Sequence, residues 1–161
     1  MRVNLESITE DSEASEGYVS FRVVGKPRGK GRPRFRNAGR FTQVYTPQET
    51  LAYEKEIAEE YLRAGGYMFE GPVCVTVMMA FKIPEGVSKK DRQAMLEMSI
   101  VPNCRPDIDN VLKAILDGLN GVAYHDDTQV AVVVCERCYD ETAYIEVDVS
   151  ELLETRFRRQ R

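Results

Sequence analysis

Hydrophobic residues recur along the chain with two different periods, and the shorter period marks the strands. Residues 18–24 alternate between apolar and polar side chains and predict a strand. Residues 72–83 are the most apolar stretch and predict a strand at the centre of a sheet. Residues 129–138 and 143–149 alternate on either side of a short turn, which predicts a β-hairpin.

Three other segments carry helical signals. A capping box followed by proline predicts a helix over residues 46–63, and Ser88 begins a second helix over residues 88–98. The predicted buried residues of the first helix are Leu51, Ile57, Ala58, Tyr61 and Leu62. A third helix begins at Asp109 or Asn110, each of which is a good N-cap. Its apolar stripe follows the spacing i, i+3, i+4 and i+7, at Leu112, Ile115, Leu116 and Leu119.

These elements predict an α/β fold of the α+β type. A chain of 161 residues is long enough to bury one core, so we expect a single small domain. In that domain a mixed sheet of about four strands packs with two to four helices. No apolar run approaches the length of a membrane span, and the first residues have no apolar signal core. Four cysteines without zinc-site spacing suit a reduced compartment, so we expect a cytoplasmic protein with no membrane partner and no small-molecule cofactor.

Charge is segregated along the chain, although the net charge is only −4. Residues 22–40 carry eight positive charges and no negative charge, whereas residues 105–150 carry ten negative and three positive charges. The acidic residues 1–17 are expected to form a flexible arm. Residues 151–161 form a basic C-terminal tail that contains four arginines. The main domain is therefore expected over residues 18–150.

The positive charge is concentrated in residues 25–47, here called the basic loop. Glycine and proline are frequent there, which predicts irregular structure. Its cations are Lys26, Arg28, Lys30, Arg32, Arg34, Arg36 and Arg40. Such a run is often only a solvated surface, but seven cations without an intervening acid repel one another unless they bind an anion. Because guanidinium groups match phosphate oxygens, we predict that this loop binds a nucleic-acid backbone.

The negative charge is concentrated in residues 103–130, here called the acidic segment, which holds five aspartates and the only histidine. Asp109, Lys113 and Asp117 are spaced by four, so they follow one side of the third helix, and Asp107 lies just ahead of it. Lys113 has two interpretations that spacing leaves open. It either forms ion pairs with Asp109 and Asp117, or stabilises charge on a phosphate oxygen.

The end of the acidic segment can return to the start of the third helix. Beyond the turn at residues 120–121, residues 122–127 in extended form would cover about 20 Å, longer than a ten-residue helix of about 15 Å. Only one of Asp126 and Asp127 can then point into a shared site, because neighbours on a strand face opposite sides. Carboxylates without Cys or His partners favour Mg²⁺ or Mn²⁺. Aspartates are also common in loops and N-caps, so a purely structural cluster stays open on spacing alone.

Combined motifs in the two charged regions strongly resemble the RusA family of crossover-junction (Holliday junction) endodeoxyribonucleases. In the acidic segment they are Arg105-Pro-Asp-Ile-Asp-Asn110, Lys113, Asp117-Gly-Leu-Asn-Gly121 and His125-Asp-Asp-Thr-Gln-Val130. In the basic half they are Gly25-Lys-Pro27, Lys30-Gly-Arg-Pro-Arg34, Tyr45-Thr-Pro47 and Tyr53-Glu54. The resemblance covers residues 18–150 and makes the acidic segment the expected catalytic segment.

The resemblance implies a homodimeric enzyme of phage or prophage type that nicks two strands of a four-way DNA junction in recombination and repair. It implies Mg²⁺, with Mn²⁺ as a substitute, held by Asp107, Asp109 and Asp127. Lys113 corresponds to the catalytic lysine, whereas Asn110, Asp117 and Asp126 are expected to support these groups without contacting the metal. Two alternatives remain: an endonuclease for flaps or forks, and a non-catalytic DNA-binding accessory protein.

Overall fold

The computed structural model describes residues 17–31, 34–38 and 41–152, with the backbone alone for residues 34–38 and 41–45. The predicted arm over residues 1–17, except for Gly17, and residues 153–161 of the predicted tail lie outside the described residues. The strands are β1 (Tyr18–Val24), β2 (Arg34–Ala38), β3 (Phe41–Tyr45), β4 (Val73–Lys82), β5 (Val130–Asp140) and β6 (Tyr144–Glu151). The helices are α1 (Gln48–Arg63), α2 (Lys89–Leu96) and α3 (Ile108–Leu119), and Asp127–Gln129 form a 3₁₀ turn.

Four strands form a mixed sheet in the order β1-β6-β4-β5. β4 pairs antiparallel with β6 and parallel with β5, while β1 pairs antiparallel with the outer side of β6. The prediction of a mixed sheet of about four strands with two to four helices is therefore confirmed, as is the central position of β4. No helix in the described part of the chain has the length and apolarity needed to cross a membrane.

The predicted hairpin between residues 129–138 and 143–149 is wrong, because β4 lies between β5 and β6. β4 is buried at alternate positions from Val73 to Val77 and continuously from Met79 to Phe81, which favours a strand with partners on both sides. Residues 83–129 carry the chain over the sheet through α2 and α3, as a parallel β4–β5 pair requires. The three residues 141–143 then only have to cross about 10 Å, the width of two strand spacings.

The core lies between one face of the sheet and the helices α1 and α3. α1 contributes Tyr53, Ile57 and Tyr61, and α3 contributes the buried Val111, Ala114, Ile115 and Leu119. The sheet contributes alternate residues of its strands, such as Phe21, Val75 and Val147. Two residues predicted to be buried are instead about half exposed, Leu51 at 51% and Leu62 at 52%. The reason is that the inward face of α1 is set by Thr50, Tyr53, Ile57 and Tyr61.

The predicted cap is confirmed for α2 but not for α1. Ser88 caps α2 as predicted, because its Oγ accepts a 3.0 Å hydrogen bond from the Asp91 N–H. α1 has no such cap: Pro47 occupies the N-cap position, so the predicted capping box from Thr46 does not form. The hydroxyl of Thr50 accepts a hydrogen bond from the Gly31 N–H, at 3.0 Å, and so attaches the basic loop to the first turn of α1.

Part of the basic loop is regular, contrary to the prediction for residues 25–47. β2 and β3 pair antiparallel from Arg34↔Tyr45 to Ala38↔Phe41 and form a separate two-stranded sheet. The sequence Phe41-Thr-Gln-Val-Tyr45 is rich in aromatic and β-branched residues, which favour extended backbone. Pairing also satisfies backbone N–H and C=O groups that an irregular loop would leave to water.

Candidate functional site

The aspartates at the start of α3 are exposed, and the side chain at the N-cap position does not cap the helix. Asp107, not Asp109 or Asn110, occupies the N-cap position, and its side chain makes no capping hydrogen bond. Its backbone is extended, at φ −72° and ψ 152°, as expected for the residue that follows Pro106 and precedes the helix. Asp107, Asp109 and Lys113 are all exposed. Asp107 and Asp109 thus lie at the N-terminal end of a helix, which favours negative charge nearby.

The chain turns back along α3 after Asn120, but it does so in a tight turn. Gly121 has φ +79°, a left-handed conformation that glycine adopts without strain. The Ala123 N–H then donates to the Leu119 carbonyl at 2.8 Å, and the Tyr124 hydroxyl donates to the Leu116 carbonyl at 2.7 Å. The predicted extended path over residues 122–127 is therefore wrong. The Tyr124 hydroxyl reaches the second half of α3, and the return of Asp126 and Asp127 to the start of α3 stays a prediction.

The buried ring of Tyr124 connects the returning segment to two carboxylates. Burial raises the pKa of the Tyr124 hydroxyl, and the negative charges of Asp117 and Asp127 raise it further. Asp117 and Asp127 therefore both lie close enough to the Tyr124 hydroxyl for their charges to affect it.

Asp126 and Asp127 differ in what their carboxylates do. Asp126 caps the 3₁₀ turn, since its Oδ1 accepts a 2.9 Å hydrogen bond from the Thr128 N–H. Hydrogen bonds to Thr128 lower the pKa of Asp126. Asp127 begins the turn and is exposed. The predicted alternation along an extended strand does not apply here, and the two residues are distinguished by hydrogen bonding instead.

The exposed carboxylates of the acidic segment are suitable ligands for a divalent cation, but their arrangement in this structure is not a complete metal site. Exposed carboxylates without a neighbouring thiol suit a hard cation. Within residues 17–31, 34–38 and 41–152, however, no three His, Cys, Asp or Glu side chains converge closely enough to hold a metal ion. The ligand set Asp107, Asp109 and Asp127 therefore remains a prediction.

A cleft of about 400 Å³ joins the basic loop to the acidic segment. Its lining residues are Lys26, Pro27, Gly29, Lys30, Arg105, Pro106, Asp107 and Asn110. The Lys30 N–H donates to the Asn110 carbonyl at 3.0 Å, which docks the loop on the first turn of α3. A Cβ atom on Gly29 would lie only 3.1 Å from the Asn110 Cβ and 3.2 Å from the Pro106 Cβ, so this contact is tight. Two regions that are far apart in sequence thus form one surface of mixed charge.

The described cations of the basic loop have different partners. Lys30 forms ion pairs with Asp117 and with Glu54 of α1. Arg28 lies 3.6 Å from Glu56 and stacks over the Tyr53 ring at 5.2 Å. Lys26 is exposed at the mouth of the cleft.

The remaining predicted contacts are less fully described. Arg34 and Arg36 lie on β2, whose side chains are not described, and Arg32 and Arg40 lie outside the described residues. Lys113 forms no ion pair with any side chain that the structure describes, and Asp117 pairs with Lys30 instead. The interpretation of Lys113 as an ion-pair partner of Asp109 and Asp117 is therefore wrong for this structure.

Comparison with known proteins decides the family. The family model described as Endodeoxyribonuclease RusA matches residues 25–150. This chain belongs to the RusA family. The match includes the basic loop, the cleft and the acidic segment, and it confirms the resemblance that the motifs indicate. A relative from Bacillus subtilis (strain 168), the uncharacterized protein YqaN, is 29% identical over 140 residues, which span 83% of this chain and 96% of YqaN.

Within this RusA-family domain, sequence reasoning named Glu54 and Arg105 as motif residues but did not predict a part for either in the site. Glu54 Oε1 is shut off from solvent and has no hydrogen bond from the described residues, but its charge is met by Lys30 Nζ at 3.1 Å. The available signal was its position next to Tyr53 on the inward side of α1, where a carboxylate is rarely found without a partner. Arg105 lines the cleft beside Asp107, and its place in the Arg-Pro-Asp motif was the corresponding signal.

Proposed function

We propose that this RusA-family protein is a metal-dependent endonuclease that resolves four-way DNA junctions by paired symmetric nicks. The observation that carries the proposal is the cleft in which cationic loop residues adjoin Asp107 at the start of α3. A phosphate backbone needs cations to bind it, and its hydrolysis needs acidic ligands close by to hold a metal. Membership of an endodeoxyribonuclease family supports the reaction type.

Each group of side chains has a distinct part in this proposal. Asp107, Asp109 and Asp127 would hold Mg²⁺, with Mn²⁺ as a substitute. A bound divalent ion supplies an activated water and neutralises charge on the scissile phosphate. Lys113 is exposed one turn into α3, where its ammonium group would contact a phosphate oxygen. Lys26 and Arg105 would hold the DNA strand at the cleft.

The proposed active form is a homodimer. A four-way junction has approximate two-fold symmetry, and a two-fold dimer would present one cleft to each of two strands. Light scattering on the purified protein tests this part: we expect twice the monomer mass of 18.3 kDa, and a monomer at the concentrations that support cleavage would contradict it.

The central test is cleavage of a labelled four-way junction in Mg²⁺, in Mn²⁺ and in EDTA. We expect paired nicks with either metal and none in EDTA. Asp109→Asn should abolish cleavage, because it removes a metal ligand, while junction binding survives, since the cations remain. Cleavage retained by Asp109→Asn would refute the site.

Parallel digests separate this proposal from its alternatives. Flap, fork and linear duplex substrates should be cut far more slowly than the four-way junction. Preferred cutting of flaps or forks would make the protein a branched-DNA endonuclease of another kind. Binding without nicking in any metal would support an accessory protein.

A further inference from the structure

Lys30 is the most constrained cation of the described part of the basic loop. Its side chain is 24% exposed, and its Nζ lies between Glu54, 16% exposed, and Asp117, 34% exposed. Partial burial lowers the pKa of Lys30, but the hydrogen bond to Asp117 and the negative charges of Glu54 and Asp117 outweigh that effect and raise the pKa above its usual value. The lysine is therefore charged, and that charge is already met by two carboxylates inside the protein.

The two carboxylates belong to the helices that pack against each other. Glu54 lies on α1 and Asp117 on α3, and the helices approach closely at this level. A Cβ atom on Gly118 would lie 2.8 Å from the Glu54 carbonyl oxygen. Lys30 is consequently connected to both helices beside this contact, and its own backbone N–H donates to the Asn110 carbonyl on the first turn of α3.

We propose that Lys30 is a positioning residue that holds the loop of residues 25–31 against α1 and α3, and that it is not a phosphate contact. This inference rests on the proposed nuclease function. The Lys30 ion pairs with Glu54 and Asp117 fix the place of Lys26 in the cleft relative to Asp107. Lys30 thereby acts on cleavage through the geometry of its neighbours.

The loop position itself is measured by amide hydrogen exchange on the full protein without DNA. Lys30→Met keeps the length of the side chain and removes the charge. We expect it to raise exchange at residues 29–31, where the N–H groups of Lys30 and Gly31 are hydrogen-bonded, while amides of β4 keep their protection. Lys55→Met is the matched control, because Lys55 forms an exposed ion pair on α1 with Glu59 and should change neither region.

The functional part is measured as single-turnover cleavage of bound junction and as the salt dependence of binding. For Lys30→Met we expect about a tenfold loss of rate at saturating protein, with an unchanged slope of log Kd against log salt. Glu54→Gln and Asp117→Asn should lower the rate in the same way. The double variant Lys30→Met/Asp117→Asn should be no slower than the slower single variant, because the ion pairs act as a unit. Lys30→Arg keeps the ion pairs and should retain most of the cleavage rate. If Lys30→Met does not fold, Lys30→Arg is the variant to measure.

Two results would overturn the inference. A slope reduced by about 0.9 with a normal single-turnover rate would make Lys30 a phosphate contact. A lower melting temperature with a normal cleavage rate, a normal salt slope and normal loop exchange would show that the Lys30 ion pairs stabilise the fold as a whole and do not position the loop. If the wild-type protein neither binds nor cuts branched DNA, the proposed nuclease function fails, while loop exchange in Lys30→Met still decides whether Lys30 holds the loop.

Discussion

Asp126 and Asp127 are neighbours with the same side chain, but their carboxylates differ in local hydrogen bonding. The carboxylate of Asp126 is engaged by the Thr128 N–H as a cap. Asp127 is exposed, and its charge raises the pKa of the Tyr124 hydroxyl. We therefore expect Asp127, and not Asp126, to be the carboxylate that binds a metal ion.

Substituting the two residues separately tests this distinction. Asp127→Asn should reduce metal-dependent junction cleavage by about 100-fold or more, because a neutral amide replaces a metal ligand. Asp126→Asn should keep most of the activity, since an amide oxygen accepts the Thr128 hydrogen bond nearly as well. Single-turnover rates at matched protein concentration measure both. The reverse ranking would assign Asp126 as the ligand.

The stability of the cap also depends on pH in a defined direction. Because the pKa of Asp126 is lowered in the folded protein, its contribution is present above the pKa of the unfolded chain and is lost as pH falls through the folded value. The affected window is therefore acidic, below about pH 4. Exchange at the Thr128 and Gln129 amides, corrected for its intrinsic pH dependence, should show the loss of the cap in wild type. Asp126→Asn should remove the pH dependence.

At the scale of single residues, the sequence identifies the charged residues of the site but does not predict which of them form ion pairs with one another. The acidic segment, the basic loop and their motifs are visible in sequence, and the family match confirms the resemblance they carry. Spacing by four suggested Lys113 as the partner of Asp117, whereas the partner is Lys30, 87 residues away. Such a pair is set by tertiary packing, on which local periodicity carries no information.

The contact between α1 and α3 depends on a glycine inside a helix. Gly118 is buried, and a Cβ atom there would lie 2.8 Å from the Glu54 carbonyl and 3.1 Å from the Ile57 Cβ. At an exposed helix position alanine is better than glycine by about 0.5–1 kcal/mol. Here the steric overlap with backbone outweighs that preference.

Gly118→Ala should therefore lower the free energy of unfolding, by about 1–3 kcal/mol. Urea denaturation followed by circular dichroism measures the change. Ala52→Gly is the matched control at an exposed position of α1, where the glycine should be destabilising by about 0.5–1 kcal/mol. A more stable Gly118→Ala variant would contradict the close approach of the two helices.

Element bounds were more predictable than element pairing. β1 occurs where alternation predicts it, and α1 ends at Arg63 as expected. The prediction of a hairpin between β5 and β6 is wrong because a short turn between two alternating segments also permits a connection that passes over one intervening strand. The two arrangements differ in whether the apolar β4 has a neighbouring strand on both sides. That difference depends on the strand order of the whole sheet.

On the scale of the whole molecule, the core is complete without the acidic site. The sheet and the helices α1 and α3 bury one continuous cluster of apolar side chains. Asp107, Asp109 and Asp127 are exposed outside that cluster. A metal ion bound there would add to a folded domain and would not be required to form it.

Removal of metal should therefore leave the fold intact. The melting temperature in EDTA should equal that in buffer without added metal. A site with a Kd of about 1 mM would gain about 1.4 kcal/mol in about 10 mM Mg²⁺, because a ligand that binds only the folded state stabilises it by mass action. Asp107→Asn and Asp109→Asn should abolish that gain. In EDTA each should lie within about 1 kcal/mol of wild type, because the lost attraction to the helix N-terminus opposes any relief of repulsion between carboxylates. Unfolding in EDTA would show that the metal is structural, and a Mg²⁺-induced shift that survives in both variants would place the cation elsewhere on the protein.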